Sequence, residues 1–291
     1  MSKVKIITDS NSGIKIDEGR LIDVFVVPMP FTIDGEEYFE EISMDHEKFF
    51  NLLRNGADVK TSQPSQMYLE NLWSDVLKDY DEIVYLPMMS GLSSSCENAK
   101  KYAKNFKGKV FVVDNKRISV TLKESVLEAV ELVKMGKTGS EIKDYLESTS
   151  SKASIYISLD TLKYLKKGGR ISPLAATIGQ TLKLKPVLYT RGANFDKFAI
   201  TFSTNQAKKK MIAQIKKELE TEFKKEFDAG VMTVSVAHTR NFDEAEKFKQ
   251  EIISEIPNVK FRFVDELSLS VCCHIGEGAL AVALSINNYI N

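Results

Sequence analysis

The sequence predicts a two-domain α/β protein, its first half a wound, mostly parallel sheet with helices and its second half an α/β domain with a mixed or antiparallel sheet. Three observations lead there. Short runs of aliphatic, β-branched and aromatic residues alternate with amphipathic segments through the first half. The 291-residue length exceeds a usual single domain, so two domains of roughly 140 residues each are expected. A polar stretch, Ser148-Thr149-Ser150-Ser151-Lys152, then separates the halves.

In chain order, Val4 to Thr8, Val24 to Pro28, Ile83 to Pro87 and Val110 to Asp114 read as strands. Their apolar character is continuous, not alternating, which suits strands covered on both faces of a parallel sheet. Between them, Glu47 to Leu53, Met67 to Leu77, Cys96 to Phe106 and Leu122 to Val133 repeat apolar residues at helical spacing. Asp34-Gly35, between Phe31-Thr32-Ile33 and Tyr38-Phe39, is a hairpin signal and predicts an antiparallel excursion. The polar stretch follows the helical segment Ile142 to Leu146 and divides the chain into domains at 1–152 and 153–291. Beyond it, Ser154 to Leu159, Pro186 to Thr190, Phe198 to Phe202, Val231 to Ala237 and Lys260 to Val264 read as strands, with Arg191-Gly192-Ala193-Asn194 as a turn. Ala207 to Phe227 reads as one helix, with Met211, Ile215, Leu219 and Phe223 along one face. Its lysines interleave with Glu218, Glu220, Glu222 and Glu226, the pattern of a solvated face.

Composition narrows the function classes. Hydrophobic residues make up 43% and charged residues 27%, an ordinary globular balance that gives no ground for extensive disorder. Forty basic residues offset forty acidic ones, so no overall field draws the chain to nucleic acid or an anionic membrane. Lys208-Lys209-Lys210 could start a basic stripe, but the glutamates that follow and the lack of an aromatic platform count against a nucleic-acid module. No apolar stretch approaches the roughly 20 residues of a membrane helix, so stable membrane insertion is not expected. The opening Met1-Ser2-Lys3-Val4-Lys5-Ile6-Ile7-Thr8 has too short an apolar run for a signal peptide. Three cysteines, Cys96, Cys272 and Cys273, fit a reducing cytoplasm better than a disulfide framework. The adjacent Cys272 and Cys273 lack the spacing of a metal knuckle, and neither a metal nor another cofactor is expected.

Two hydroxyl-rich segments carry the chemistry. Thr61-Ser62-Gln63-Pro64-Ser65 and Ser90-Gly91-Leu92-Ser93-Ser94-Ser95 each precede a helical pattern, and the second follows a strand-like run. Helix N-termini present unpaired N–H groups and the positive end of the dipole, so hydroxyls beside them can hold a carboxylate or phosphate without a buried lysine. Serine and threonine are also ordinary caps, and each segment alone is explained by capping. In open α/β sheets ligands bind beyond the carboxyl ends of strands, where both segments and Thr8-Asp9-Ser10-Asn11-Ser12 fall. Gly168-Gly169-Arg170 reads as a helix stop, with Arg170 able to cap carbonyls or grip an anion. His274, after Val271-Cys272-Cys273, reads by itself as a packed core histidine. Gly-x-Ser-x-Gly, the phosphate-binding Gly-x-x-x-x-Gly-Lys loop, His-Glu-x-x-His and the dinucleotide glycine fingerprint are all missing. Catalysis by this chain alone is therefore the less supported class, with a serine-dependent lipid or ester hydrolase as the alternative reading.

Taken together, Thr8-Asp9-Ser10, Thr61 to Ser65, Ser90-Gly91-Leu92-Ser93, Leu165 to Ser172, Lys183-Leu184-Lys185-Pro186-Val187 and His274 to Leu280 resemble the DegV family of bacterial fatty-acid-binding proteins almost end to end. The resemblance implies a cytoplasmic two-domain α/β protein that buries one long-chain fatty acid, the second domain contributing to the acyl-chain tunnel. It makes Thr61, Ser62, Ser93, Ser94 and His274 the carboxylate-binding candidates and gives Arg170 an ionic or docking role. Ser94 and Ser95 replace the family's usual glycine and threonine, and Glu277 its usual proline. Several members present the bound acid to a fatty acid kinase and carry a basic Arg-Thr-Arg-Lys-Lys-Ala-like segment. This chain has Phe202-Ser203-Thr204-Asn205-Gln206-Ala207 there, with Lys208, Lys209 and Lys210 following as a displaced patch.

Overall fold

The structure, a computed structural model, describes residues 2–178 and 184–289. Lys183, the first residue of the Lys183–Val187 motif, lies outside the described residues. The chain divides into two compact units: Met1–Ser151 with Ser268–Ser270, and Lys152–Leu267 with Val271–Asn291.

The first unit runs β1 (Val4–Asp9), α1 (Ile16–Leu21), β2 (Val24–Val27), β3 (Pro30–Ile33), β4 (Glu36–Phe39), α2 (His46–Arg54), β5 (Val59–Thr61), α3 (Gln66–Val76), β6 (Glu82–Leu86), α4 (Ser95–Ala103), β7 (Val110–Val112), α5 (Val120–Lys134) and α6 (Gly139–Ser148). Strands β2-β1-β6-β7 form a wholly parallel sheet. That is the wound sheet expected from the unbroken apolar runs, and Ile83, Val84, Tyr85 and Leu86 of β6 are fully buried. Helices α3 and α4 cover one face, where Trp73 packs edge-on against Tyr85 at 5.8 Å and Phe106 at 5.4 Å between centroids. The antiparallel excursion is the small sheet β4-β3-β5. Its hairpin turns at Asp34 (φ 52°) and Gly35 (φ 91°), the left-handed pair that a tight primed turn requires.

The second unit contains β8 (Ala153–Ser158), α7 (Lys163–Gly168), α8 (Pro173–Ala176), β9 (Lys185–Thr190), β10 (Asp196–Thr201), α9 (Thr204–Glu220), α10 (Lys224–Asp228), β11 (Met232–His238), α11 (Phe242–Glu255), β12 (Lys260–Glu266) and β13 (Leu280–Ile286). A final helix, α12 (Leu269–Ile275), begins in the short segment that belongs with the first unit. The sheet order is β10-β9-β8-β13-β11-β12, antiparallel except for the parallel β11–β12 pair. Every residue of β11 and β13 is buried, so the sheet's centre is built from two strands without a solvent face.

The single helix expected over Ala207 to Phe227 is two. Helix α9 ends at Glu220, Thr221 leaves helical geometry (φ −124°, ψ −86°), and α10 starts at Lys224. Apolar residues spaced by four drift steadily around a helix of 3.6 residues per turn. By Phe223 the drift would carry the ring off the buried stripe; the break returns it to the core, fully buried beside Met211, Ile215 and Leu219.

Candidate functional site

The parallel sheet reverses its winding between β1 and β6, and ligands of open α/β sheets sit beyond the carboxyl ends of strands at such a reversal. The loops there are tied to one another through backbone groups. Asp9 accepts from Asn11 N at 3.0 Å with Oδ1 and from Met88 N at 2.9 Å with Oδ2. Met89 N donates to Arg117 O at 2.9 Å, Ser119 N to Asn11 O at 2.7 Å and Ser90 N to Asp114 Oδ1 at 3.3 Å. Ser119 holds φ 54° and ψ −138°, a costly conformation for a residue with a Cβ, which these bonds maintain. Asp9 is wholly buried, and burial pushes its carboxyl up to about 6 against the lowering effect of the amide N–H groups. Ser10 Oγ accepts from Met29 N at 3.1 Å. Asp9 and Ser10 thus shape the loops from beneath.

Several hydroxyls of the two segments make local bonds, with Ser62 Oγ donating to Pro30 O at 3.5 Å. Ser65 caps α3, its Oγ accepting from Tyr68 N at 3.2 Å. Thr61 ends β5 opposite Phe31, and Ser62 N donates to Pro30 O at 3.1 Å. Ser93 Oγ accepts from Ser95 N at 3.2 Å, a bond that uses a lone pair and leaves the hydroxyl proton for another acceptor. Ser94 stands at the N-cap of α4 without a side-chain capping bond; its Oγ donates to Gln63 Oε1 at 3.4 Å. Asn98 Nδ2 donates to the same Gln63 oxygen at 3.0 Å. Gln63 therefore brings the Thr61 and Ser93 segments together. Its partner Asn98 is 35 residues away in sequence, so no local pattern marked the pair.

In the second unit His274 packs against α7. A Cβ on Gly168 would stand 2.2 Å from His274 Nδ1, so the ring lies directly on the glycine backbone. Burial, with the nearby charge of Arg170 added, pulls the imidazole down to about 4. It is neutral at physiological pH. Gly169 closes α7 in the left-handed conformation (φ 71°), and Arg170 Nη1 donates to the Gly168 carbonyl, the capping role open to it from sequence. Burial raises the Tyr164 phenol, and the negative charge of Glu277 acts in the same direction.

Asn11 is a further residue that sequence reasoning assigned no bond. Its Oδ1 accepts from Ser268 Oγ at 3.0 Å and from Ser270 Oγ, while Glu40 Oε2 accepts from Leu269 N at 2.9 Å. These bonds hold Ser268–Ser270 in the first unit. Among the described residues, Cys96, Glu97 and Asp114 place ligand-type atoms within 4.8 Å of one another. Lys100 serves as their cation, 2.8 Å from Glu97 and 3.6 Å from Asp114, and burial pushes the Cys96 thiol up to about 12. Lys208 is buried, with its Nζ 2.6 Å from Glu244 and 2.5 Å from Glu251. It is withdrawn from the expected basic patch, which leaves Lys209 and Lys210 exposed. Among the described residues no helix is long and apolar enough to cross a membrane.

The family model described as "Uncharacterised protein, DegV family" matches residues 3–287. A DegV domain-containing protein of Staphylococcus aureus strain N315 is 29% identical over 286 residues, covering 98% of this chain and 99% of its own. Protein DegV of Bacillus subtilis is 29% identical, with 96% and 98% covered. Two solved structures superpose over nearly the whole chain. A fatty-acid-binding DegV family protein from Thermus thermophilus has a TM-score of 0.87 at 25% identity, with 98% and 99% covered. DegV of Bacillus subtilis, solved as a fatty acid binding protein, has a TM-score of 0.83 at 26% identity, with 98% and 100% covered.

Proposed function

The chain belongs to the DegV family, and on that premise we propose that it is a non-catalytic fatty-acid-binding protein that buries one acyl chain and holds its carboxylate with neutral hydroxyls. The observation that carries this reading is the pairing of the Thr61-Ser62 and Ser93 segments by Gln63 at the carboxyl end of the parallel sheet. The likeness to two fatty-acid-binding relatives supports it. Burying an acyl chain gains about 0.8 kcal/mol per methylene, so the chain supplies affinity and the headgroup needs only satisfied oxygens. Thr61 and Ser93 donate to the carboxylate, and Ser62, whose hydroxyl contacts Pro30 O at 3.5 Å, turns from that carbonyl to join them. His274, the remaining candidate of the resemblance, is a neutral donor or acceptor, not a counter-ion. Presentation of the bound acid to a fatty acid kinase is the downstream step, with the surface around Phe202 and Thr204 as its docking region.

Mass spectrometry of lipid released by denaturing gently purified protein tests the reading. One fatty acid per chain is expected, with affinity for labelled acids rising with chain length. No stoichiometric lipid, together with no binding at saturating acid, would overturn it.

A further inference from the structure

Gln63 sits between two segments that have no backbone pairing with each other among the strand registers: Thr61 belongs to the β4-β3-β5 sheet, and Ser93–Ser95 leads into α4 behind the parallel sheet. Its amide oxygen accepts from Asn98 Nδ2 at 3.0 Å and from Ser94 Oγ at 3.4 Å. An amide oxygen has two lone pairs, so both are used. Asn98 lies on the first turn of α4, one turn beyond Ser94, and its backbone N–H donates to Ser94 O at 3.0 Å. The two donors to Gln63 are thereby fixed relative to each other by the helix itself.

We infer that Gln63 is a positioning residue for acid binding and that Ser93 and Ser94 have different jobs: Ser94 ties the loop to Gln63, while Ser93 donates to the carboxylate. The inference rests on the proposed fatty-acid reading. A hydroxyl has one proton. Ser94 spends its own on Gln63 Oε1; Ser93 receives its bond from Ser95 N and keeps its proton. Hydrogen bonds to an anion demand donors preset at the right separation, because a donor that must be reoriented loses part of what it contributes. Gln63 provides that presetting without adding charge, which a glutamate in its place would do next to the bound anion.

The test uses the full chain, delipidated, with a saturated long-chain acid and its methyl ester as probes. Gln63→Met removes the acceptor at similar length, Asn98→Leu removes the stronger donor, and the double variant completes a cycle. Expected are about a tenfold loss of acid affinity for each single variant, ester affinity unchanged within twofold, and a double variant no worse than the singles. Ser94→Ala should resemble Gln63→Met, whereas Ser93→Ala should lose more acid affinity than either. Amide hydrogen exchange at Ser93 to Asn98 should quicken in Gln63→Met without ligand. Equal losses for acid and ester, additive single effects, or unchanged exchange would overturn the inference. If the wild-type chain binds neither probe, the fatty-acid reading falls, and the exchange arm still decides whether Gln63 fixes the loop.

Discussion

Asp9 accepts the Met88 amide at 2.9 Å from inside the first unit, so a wholly buried carboxylate joins the loop after β1 to the loop after β6. Two backbone donors hold the charged form, yet burial outweighs them and leaves the carboxyl near 6.

The first prediction follows from the sign of that shift. The folded value is raised above the unfolded 3.8, so the folded state binds the proton more tightly. Asp9's contribution is fully present below about pH 4 and is lost as pH rises to about 6. A rise from 3.8 to about 6 corresponds to roughly 3 kcal/mol at most. Urea unfolding of wild type and Asp9→Asn at pH 4, 5, 6 and 7 isolates this group from other carboxylates: stability of wild type relative to the variant should fall across that window. A constant difference would show that Asp9 does not titrate there.

Gly168 makes the second prediction. Alanine usually stabilises a helix by about 1 kcal/mol relative to glycine. Here the new Cβ would meet the His274 ring at 2.2 Å. Gly168→Ala should therefore displace the imidazole, lower the melting temperature and change the His274 ring proton shifts. In a His274→Ala background the same substitution should become neutral or stabilising. A loss of equal size in both backgrounds would place the cost elsewhere.

How much of this was legible in the sequence depends on range. Unbroken apolar runs such as Ile83 to Leu86 announced the parallel sheet, because a strand covered on both faces has no polar side to show. Asp34-Gly35 announced its hairpin because turn geometry is local. The central strand Leu280–Ile286 has no such local signal: it follows a glycine-rich stretch, and its place between β8 and β11 is fixed by partners far away in sequence. The break after Glu220 was invisible for another reason, since a four-residue spacing looks helical until its drift is set against a finite core. At the site, the hydroxyls were legible as residue types, whereas Gln63–Asn98 and Asn11–Ser268 are consequences of folding.

The third prediction concerns headgroup recognition. Ser93→Ala and Thr61→Val should weaken binding of the acid more than of its methyl ester, each lost bond to the carboxylate contributing about 1.5 to 3 kcal/mol less whatever water replaces. Because His274 is held near 4, acid affinity should show no step attributable to imidazolium between pH 5.5 and 8. For stability the sign is the reverse of that for Asp9. The folded value is depressed below the usual 6.5, so the contribution is present above that pH and lost as pH falls toward 4. Nuclear magnetic resonance titration of the His274 ring in the unliganded chain checks the premise, and a midpoint near 6.5 would refute it.

The last prediction is that the chain docks slowly on a DegV-compatible fatty acid kinase. Phe202 is 67% exposed where the family resemblance implies a cation, and Ser203 is occupied in capping α9 through Gln206 N. Lys208 does not compensate, because Glu244 and Glu251 hold it in the interior. Only Lys209 and Lys210 remain of the displaced patch as exposed cations. Opposite charge across an interface governs encounter rate more than the affinity of a separate buried ligand. Phe202→Arg replaces an exposed ring and buries nothing new; Thr204→Arg, in the first turn of α9, costs only a few tenths of a kcal/mol against the helix dipole. Acyl-phosphate formation from lipid-loaded protein with kinase and ATP should be slow for the wild type and faster for the double arginine variant, with lipid affinity unchanged and the gain erased at high salt. Efficient turnover by the unmodified chain would refute the docking argument, and a gain that survives high salt would assign the arginines a contact role in place of steering.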